Sequence, residues 1–121
     1  MNYENAIEYI ESLEGLGSRS GLKRIKALTE RLGNPQEHLK FIHVAGTNGK
    51  GSTSAFISSI LSCAGYSTGL YISPHLQRYN ERISINGQEI SDEELFKYTW
   101  RIKNVIDEMV KEGLEHPTVL K

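Results

Sequence analysis

Cysteine, proline, tryptophan and methionine are scarce in this 121-residue chain, at one, three, one and two residues. The single cysteine, Cys63, excludes an internal disulfide framework and a cysteine-rich zinc site. No apolar run approaches the roughly 18 residues that mark a membrane-spanning helix. The chain opens with no basic n-region and has acidic residues at Glu4 and Glu8, so no signal peptide is read. Neither sign of charge is in excess: 14 Lys and Arg stand against 15 Asp and Glu, a formal charge of −1. That balance speaks against a general nucleic-acid binder and against a polybasic membrane tether. The expectation is a soluble, cytoplasmic protein with neither nucleic acid nor membrane as a partner.

Apolar residues, by contrast, are present in strength. Leu, Ile, Val and Phe number 31, too large a share for the disordered class and enough for the core of one ordinary domain. Charge is uneven along the chain, at −3 over residues 1–20, +3 over 21–40, +1 over 41–90 and −2 over 91–121. The middle is almost bare of charge. Backbone that is buried or faces a ligand reads that way, because unpaired charge is costly there.

Apolar spacing predicts a helix over Tyr3 to Leu13, with Ile7, Ile10 and Leu13 on one face. The glycine-rich stretch Gly15 to Gly21 reads as a connection. A second helix runs from Leu22 to Leu32, with Leu22, Ile25, Leu28 and Leu32 as its stripe and Gly33-Asn34-Pro35 as its stop. Phe41 to Ala45 reads as a short buried strand and Thr68 to Ile72 as another. Between them, Ser52 to Ala64 reads as a helix presenting Phe56, Ile57, Ile60, Leu61 and Ala64. Strand, helix, strand in this order predicts a right-handed crossover and a parallel pair. Arg82 to Ile85 alternates as a strand does. Asn86-Gly87 is a two-residue hairpin signal, and Glu89-Ile90 is the return arm. Ser91 and Glu94 form a capping-box pattern for a last helix ending near Glu112, with Leu95, Ile102, Val105 or Ile106, and Met109 inward.

The strongest chemical signal is Gly46-Thr47-Asn48-Gly49-Lys50-Gly51-Ser52-Thr53, set between a predicted strand and a predicted helix. Glycine reaches positive φ and lets backbone N–H groups approach a phosphate. A helix start adds free N–H groups and a positive dipole end. Lys50 supplies full charge to β- and γ-phosphates, and Ser52 or Thr53 a hydroxyl for phosphate or Mg²⁺. The strict P-loop pattern is not met, since Val44 occupies the first glycine position and Gly51 separates Lys50 from Ser52. The absence of G-x-G-x-x-G weighs against a dinucleotide fold.

The run Ile42 to Ser52 closely resembles the ATP loop of folylpolyglutamate synthases and dihydrofolate synthases, within the wider Mur ligase family. That loop is short before its Gly-Lys pair and carries a glycine after it, so both departures fit. Gly69-Leu70-Tyr71-Ile72-Ser73-Pro74-His75-Leu76, followed by Asn80-Glu81-Arg82-Ile83, is a second match. Ser20-Gly21-Leu22-Lys23-Arg24-Ile25 is a weaker third.

This resemblance implies an ATP-dependent amide ligase that adds L-glutamate to a folate or dihydropteroate carboxylate. ATP phosphorylates the carboxylate, and the glutamate amine displaces phosphate from the acyl phosphate. The implied cofactors are ATP and Mg²⁺. Gly46, Thr47, Asn48, Gly49, Lys50, Gly51, Ser52 and Thr53 would hold ATP, with Lys50 as the catalytic charge. Ser73 would be a Mg²⁺ ligand. Ser20, Gly21, Leu22, Lys23, His75 and Arg82 would contact the folate-type substrate. On residue type alone, His75 reads equally as an exposed loop histidine, and Arg82 as a strand-edge arginine paired with Glu81. His43 reads as a packed or hydrogen-bonded strand residue, Cys63 as a core or helix-flank thiol, Tyr98 and Trp100 as packing and partner-domain contacts, and Asp92 to Glu94 as a solvated first turn.

The implied fold is α/β, a partial three-layer P-loop-like ATPase domain. It has parallel strands, two N-terminal helices, a short hairpin and a long C-terminal helix. Residues 1–121 would be the N-terminal part of that ATP-binding domain, with the remaining Mg²⁺ ligands and a C-terminal domain lying beyond Lys121. Exposed sheet edges would favour self-association. The alternative is a stand-alone nucleotide-binding or interaction module without ligase activity.

Overall fold

Four helices and three short strands form in the computed structural model, which describes residues 2–14, 22–46 and 48–114. Helix α1 spans Tyr3–Glu14, α2 Lys23–Arg31, α3 Lys50–Cys63 and α4 Asp92–Lys111. Strands β1, β2 and β3 are Gly69–Tyr71, Ile83–Ile85 and Gln88–Glu89. Single 3₁₀ turns lie at Pro35–His38 and Tyr79–Arg82.

Short-range chemistry fixes the helix ends. Asn2 and Asn5 cap the start of α1 reciprocally, each backbone N–H donating to the other's Oδ1 at 3.0 and 3.1 Å. At α4 the Glu94 N–H donates to Ser91 Oγ at 3.1 Å, as the capping pattern predicts. Helices α2, α3 and α4 share one ending. Gly33, Gly65 and Gly113 take φ of 86°, 96° and 84°. The next residue's N–H then reaches back five positions, from Asn34 to Thr29, Tyr66 to Leu61 and Leu114 to Met109, at 2.8–3.0 Å. This Schellman closure satisfies carbonyls that the helix itself leaves unpaired.

The chain divides into two compact units, Met1–Lys40 with Leu95–Lys121, and Phe41–Glu94. In the first, α4 turns Leu95, Thr99, Ile106 and Met109 inward at helical spacing. Leu28, Ile106 and Met109 form the buried cluster, with Tyr9, Ala27, Leu32, Ile102 and Val105 packed against it. Ala6 is the fully buried residue of α1, whereas Ile7, Ile10 and Leu13 are half-buried. The stripe expected on α2 is only half used: Leu28 is buried and Leu32 partly so, while Leu22 and Ile25 are exposed.

The second unit carries an antiparallel sheet in the order β1-β2-β3. Gly69, Leu70 and Tyr71 face Ile85, Ser84 and Ile83. Ser84 and Ile85 face Glu89 and Gln88. The predicted hairpin forms, with φ of 51° at Asn86 and 84° at Gly87. Asn86 also ties the turn to the segment before β1. Its N–H donates to the Thr68 carbonyl at 2.9 Å, and its Oδ1 accepts from the Thr68 N–H at 2.8 Å.

The α/β class, the two leading helices, the hairpin and the long last helix agree with the sequence reading. The parallel strand pair does not. Phe41 to Ala45 forms no strand, and the sheet among the described residues is antiparallel throughout. A strand of this apolar kind needs a hydrogen-bonded neighbour and cover on both faces. Phe41 and Ile42 have neither, at 68% and 63% exposure. His43 is exposed with them rather than packed. Helix α3 similarly leaves Phe56 and Ile60 bare, at 70% and 67%. Cys63, at its end, is an exposed free thiol rather than a core one.

Candidate functional site

Gly46 takes φ of 152°, and Gly49 takes φ of 74° directly before α3. Both values lie where side chains with a Cβ are strained. The helix begins at Lys50, two residues earlier than the sequence suggests, so Lys50, Gly51 and Ser52 make up its first turn. The Thr53 N–H closes the first intrahelical bond, on the Gly49 carbonyl at 2.9 Å. The N–H groups ahead of it have no partner within the helix. A Cβ built on Gly49 or Gly51 meets nothing within 4 Å, so the backbone in front of both stands open. A Cβ on Gly46 would lie 3.9 Å from Lys50 Cγ, which places the Lys50 stem beside the loop. Lys50, Ser52 and Thr53 are exposed, and Thr47 lies outside the described residues. The arrangement is an open cradle of N–H groups with one cationic side chain, suited to a phosphate chain.

A second cluster follows β1. Ser73 is exposed and is joined to Pro74 by a cis peptide bond. The chain returns at Arg82, whose carbonyl accepts the Ile72 N–H at 2.9 Å. Within this loop the Arg82 Nε–H donates to His75 Nδ1 at 2.9 Å. Guanidinium is a donor only. Nδ1 is therefore the acceptor, and the proton of the neutral ring sits on Nε2. The Arg82 guanidinium lies over the Tyr79 ring at 4.7 Å, and the His75 and Tyr79 rings are 5.5 Å apart. Arg82 thus stacks on one neighbour and spends Nε on another. Its terminal nitrogens donate to nothing among the described residues. A guanidinium held in this way is a directed fork for a carboxylate or phosphate.

Glu81 does not pair with Arg82. Its Oε1 accepts the Leu76 N–H at 2.8 Å, and its Oε2 accepts those of Gln77 and Arg78 at 3.0 and 2.9 Å. The hydrogen bonds from Leu76 and Arg78 hold its carboxyl below the usual value of 4.5, with smaller help from Gln77 and the nearby His75, against an upward pull from burial. Asn80, 1% exposed, donates through Nδ2 to the Ile90 carbonyl at 2.8 Å and to Asp92 Oδ1 at 2.9 Å. Arg78 pairs with the same Asp92 oxygen. Asp92 is therefore engaged by the loop rather than merely solvated.

No hydrogen bond or ion pair among the described residues joins the glycine loop to Ser73 or to the His75–Arg82 pair. Leu22 and Lys23, at the start of α2, belong to the other unit, and Ser20 and Gly21 lie outside the described residues. Trp100 stacks on Phe96 at 5.2 Å, as a packing residue does, while Tyr98 is exposed. Sequence reasoning missed Tyr79, Asn80 and Glu81. Glu81, three residues after Arg78, had the spacing of a carboxylate that reaches back to a helix start. Asn80 stood within the Asn80-Glu81-Arg82-Ile83 match without a role of its own, and Tyr79 carried no local signal.

No family model matches the chain. Over 116 residues it is 43% identical to a dihydrofolate synthase/folylpolyglutamate synthase of Bacillus subtilis, covering 96% of this chain and 27% of that protein. It is 45% identical over 92 residues to a folylpolyglutamate synthase of Lacticaseibacillus casei, covering 76% and 22%. The apo form of the L. casei FPGS superposes with a TM-score of 0.90 at 35% identity, over 98% of this chain and 29% of that one. The chain belongs to the folylpolyglutamate synthase/dihydrofolate synthase family. An FPGS–AMPPCP–folate complex superposes at 0.88, with 34% identity over 98% and 29% of the two chains. A bifunctional folylpolyglutamate synthase/dihydrofolate synthase with Mn, AMPPNP and L-glutamate bound superposes at 0.73, with 40% identity over 87% and 25%. Within this family of synthases, then, the chain spans about a quarter of the length of the relatives it matches.

The donor set for a metal among the described residues is thin. No group of three or more His, Cys, Asp and Glu is placed to hold a metal ion. Ser73 offers one exposed hydroxyl oxygen. That suits Mg²⁺, which keeps several waters and takes phosphate oxygens beside one or two protein ligands.

Proposed function

We propose that this chain supplies the ATP loop and part of the folate-type site of an ATP-dependent amide ligase. The ligase joins L-glutamate to a folate or dihydropteroate carboxylate. In this reading, residues 1–121 are the N-terminal part of a Mur-ligase-type ATP-binding domain in a cytoplasmic enzyme. The observation that carries it is the open cradle at Gly49 and Gly51 beside Lys50, in a chain whose relatives include complexes with AMPPCP and folate.

Each residue has a task in that reaction. The N–H groups at the start of α3 hold the phosphate chain of ATP, with Gly46, Asn48 and Thr53 shaping the loop and Ser52 adding a hydroxyl, and the resemblance assigns Thr47 to the same ATP site. Lys50 neutralises charge on the transferred phosphoryl group. Ser73 would hold Mg²⁺ through its hydroxyl, and the ion would supply further charge neutralisation at the phosphates. His75 and Arg82 face the folate-type substrate, with Arg82 binding an anionic group. The resemblance assigns Ser20, Gly21, Leu22 and Lys23 to the folate-type substrate as well. The substrate carboxylate takes the γ-phosphoryl group and ADP departs. The glutamate amine then forms the amide bond as inorganic phosphate leaves. The protein's part is positioning and electrostatics.

Calorimetric titration with ATP and Mg²⁺ tests the loop. Saturable binding is expected, and Lys50→Ala should weaken it about tenfold or more. Equal binding by both proteins would remove Lys50 from the site. The alternative of a nucleotide module without ligase activity is separated by assay of ADP release. Residues 1–121 are expected to be inactive alone, so that assay uses a full-length relative in which they replace the matching segment; ATP binding there without folate- and glutamate-dependent ADP release would favour the alternative.

A further inference from the structure

The loop from Pro74 to Arg82 has no helix or sheet of its own to hold its path beyond one 3₁₀ turn. Yet it brings His75 Nδ1 to within 2.9 Å of Arg82 Nε, seven residues on. Something must fix the intervening backbone. Asn80 and Arg78 anchor the far side of the loop to Asp92, at the first residue of α4. That contact fixes where the loop sits, but not how residues 76–78 travel from His75 to the turn. Glu81 reaches all three of those residues. One carboxylate gathers three consecutive backbone N–H groups and curls the segment around itself. Charge-assisted bonds of this type are about twice as strong as neutral ones.

We propose that Glu81 is the positioning residue of the Arg82 fork. By clasping the N–H groups of Leu76, Gln77 and Arg78, it sets the loop path that lays His75 against Arg82 Nε. It thereby aims the two terminal nitrogens at a carboxylate or phosphate of the bound substrate. Both Glu81 oxygens are taken up by backbone N–H groups, so its part is to position Arg82. The proposal rests on the reading of Arg82 as an anion-binding residue and adds the element that directs it.

The test compares Glu81→Gln and Glu81→Asp with the unaltered chain. Glutamine keeps one oxygen acceptor but turns an NH₂ donor toward N–H groups that need an acceptor. Aspartate keeps the charge but is one methylene short. Two readouts are taken by NMR near neutral pH: the Arg82 Nε–H signal with the amide shifts of residues 76–78, and the affinity for inorganic phosphate followed at the Arg82 side chain. Amides of α4 and of the hairpin report whether the fold is kept. In Glu81→Gln the three loop amides should move and the Arg82 Nε–H should lose its protection. Phosphate affinity should fall about tenfold, the worth of one well-directed charge-assisted bond. Glu81→Asp should give an intermediate result, and it carries the same test where the glutamine variant fails to fold. Loop amides that move while Arg82 Nε–H and phosphate affinity stay put would overturn the proposal. Absence of phosphate binding in the unaltered chain would instead remove the anion reading of Arg82. The Nε–H signal would still decide whether Glu81 sets the fork.

Discussion

Tyr9 is the residue whose chemistry is least settled by its surroundings. Its hydroxyl is buried with no hydrogen-bond partner among the described residues. Lys103 Nζ lies 5.6 Å from its ring and is itself bonded to Asp107 at 2.7 Å. Burial, and after it the Asp107 charge, push the phenol from 10.0 up to about 12. The folded protein thus favours the neutral phenol. That contribution is complete below about pH 10 and is lost as pH rises through about 12. Tyr9→Phe should remove both the orphan hydroxyl and the alkaline loss. We expect stability at neutral pH to be unchanged or higher by about 1 kcal/mol. Urea melts at neutral pH and near pH 11 check this: the gap between the two should be smaller in Tyr9→Phe. The same scale explains why the sequence pointed to Glu81 as a partner of Arg82, which it is not. A glutamate beside an arginine suggests an ion pair, but three N–H groups in the curled backbone offered it a denser set of partners.

At the scale of elements, what was legible was local. Gly33, Gly65 and Gly113 follow apolar-periodic runs, and each closes its helix with positive φ. Asn86-Gly87 makes its hairpin for the same reason, since the left-handed conformation belongs to those two residues wherever they stand. Gly65 has open space around a built Cβ, so Gly65→Ala meets no clash and isolates the backbone cost. We expect a loss of about 1 kcal/mol, read as a lower denaturation midpoint with an unchanged slope. The Phe41 to Ala45 segment was misread because strand formation is not a local property. A mostly apolar run of five residues is a strand only when neighbours supply hydrogen bonds, and none of the described residues does so. The glycine loop was legible in composition and placement. The His75–Arg82 cluster was legible as letters only, because its geometry depends on Asn80, Glu81 and Asp92 across eighteen residues of chain.

For the whole molecule, the balance between buried and bare apolar groups decides behaviour in solution. Ala6, Leu28, Leu95, Ile106 and Met109 are the buried hydrophobics among the described residues. Phe41, Ile42, Phe56, Ile60, Tyr71 and Ile85 of the second unit are all more than half exposed. Patches of that kind, beside a short sheet with open edges, favour association. We expect the 121-residue chain to show a concentration-dependent sedimentation coefficient in the micromolar range. A constant monomer value across that range would count against it. The small core has a calorimetric consequence as well. Heat capacity rises on unfolding because apolar surface meets water. A chain that already shows so many apolar side chains to water has little more to reveal. Its heat-capacity increment should fall below the usual 12–15 cal/mol/K per residue, and its urea slope should be shallow for its length. Differential scanning calorimetry should therefore trace a broad, low endotherm and a nearly flat stability curve, so that cooling this chain does little to strengthen it.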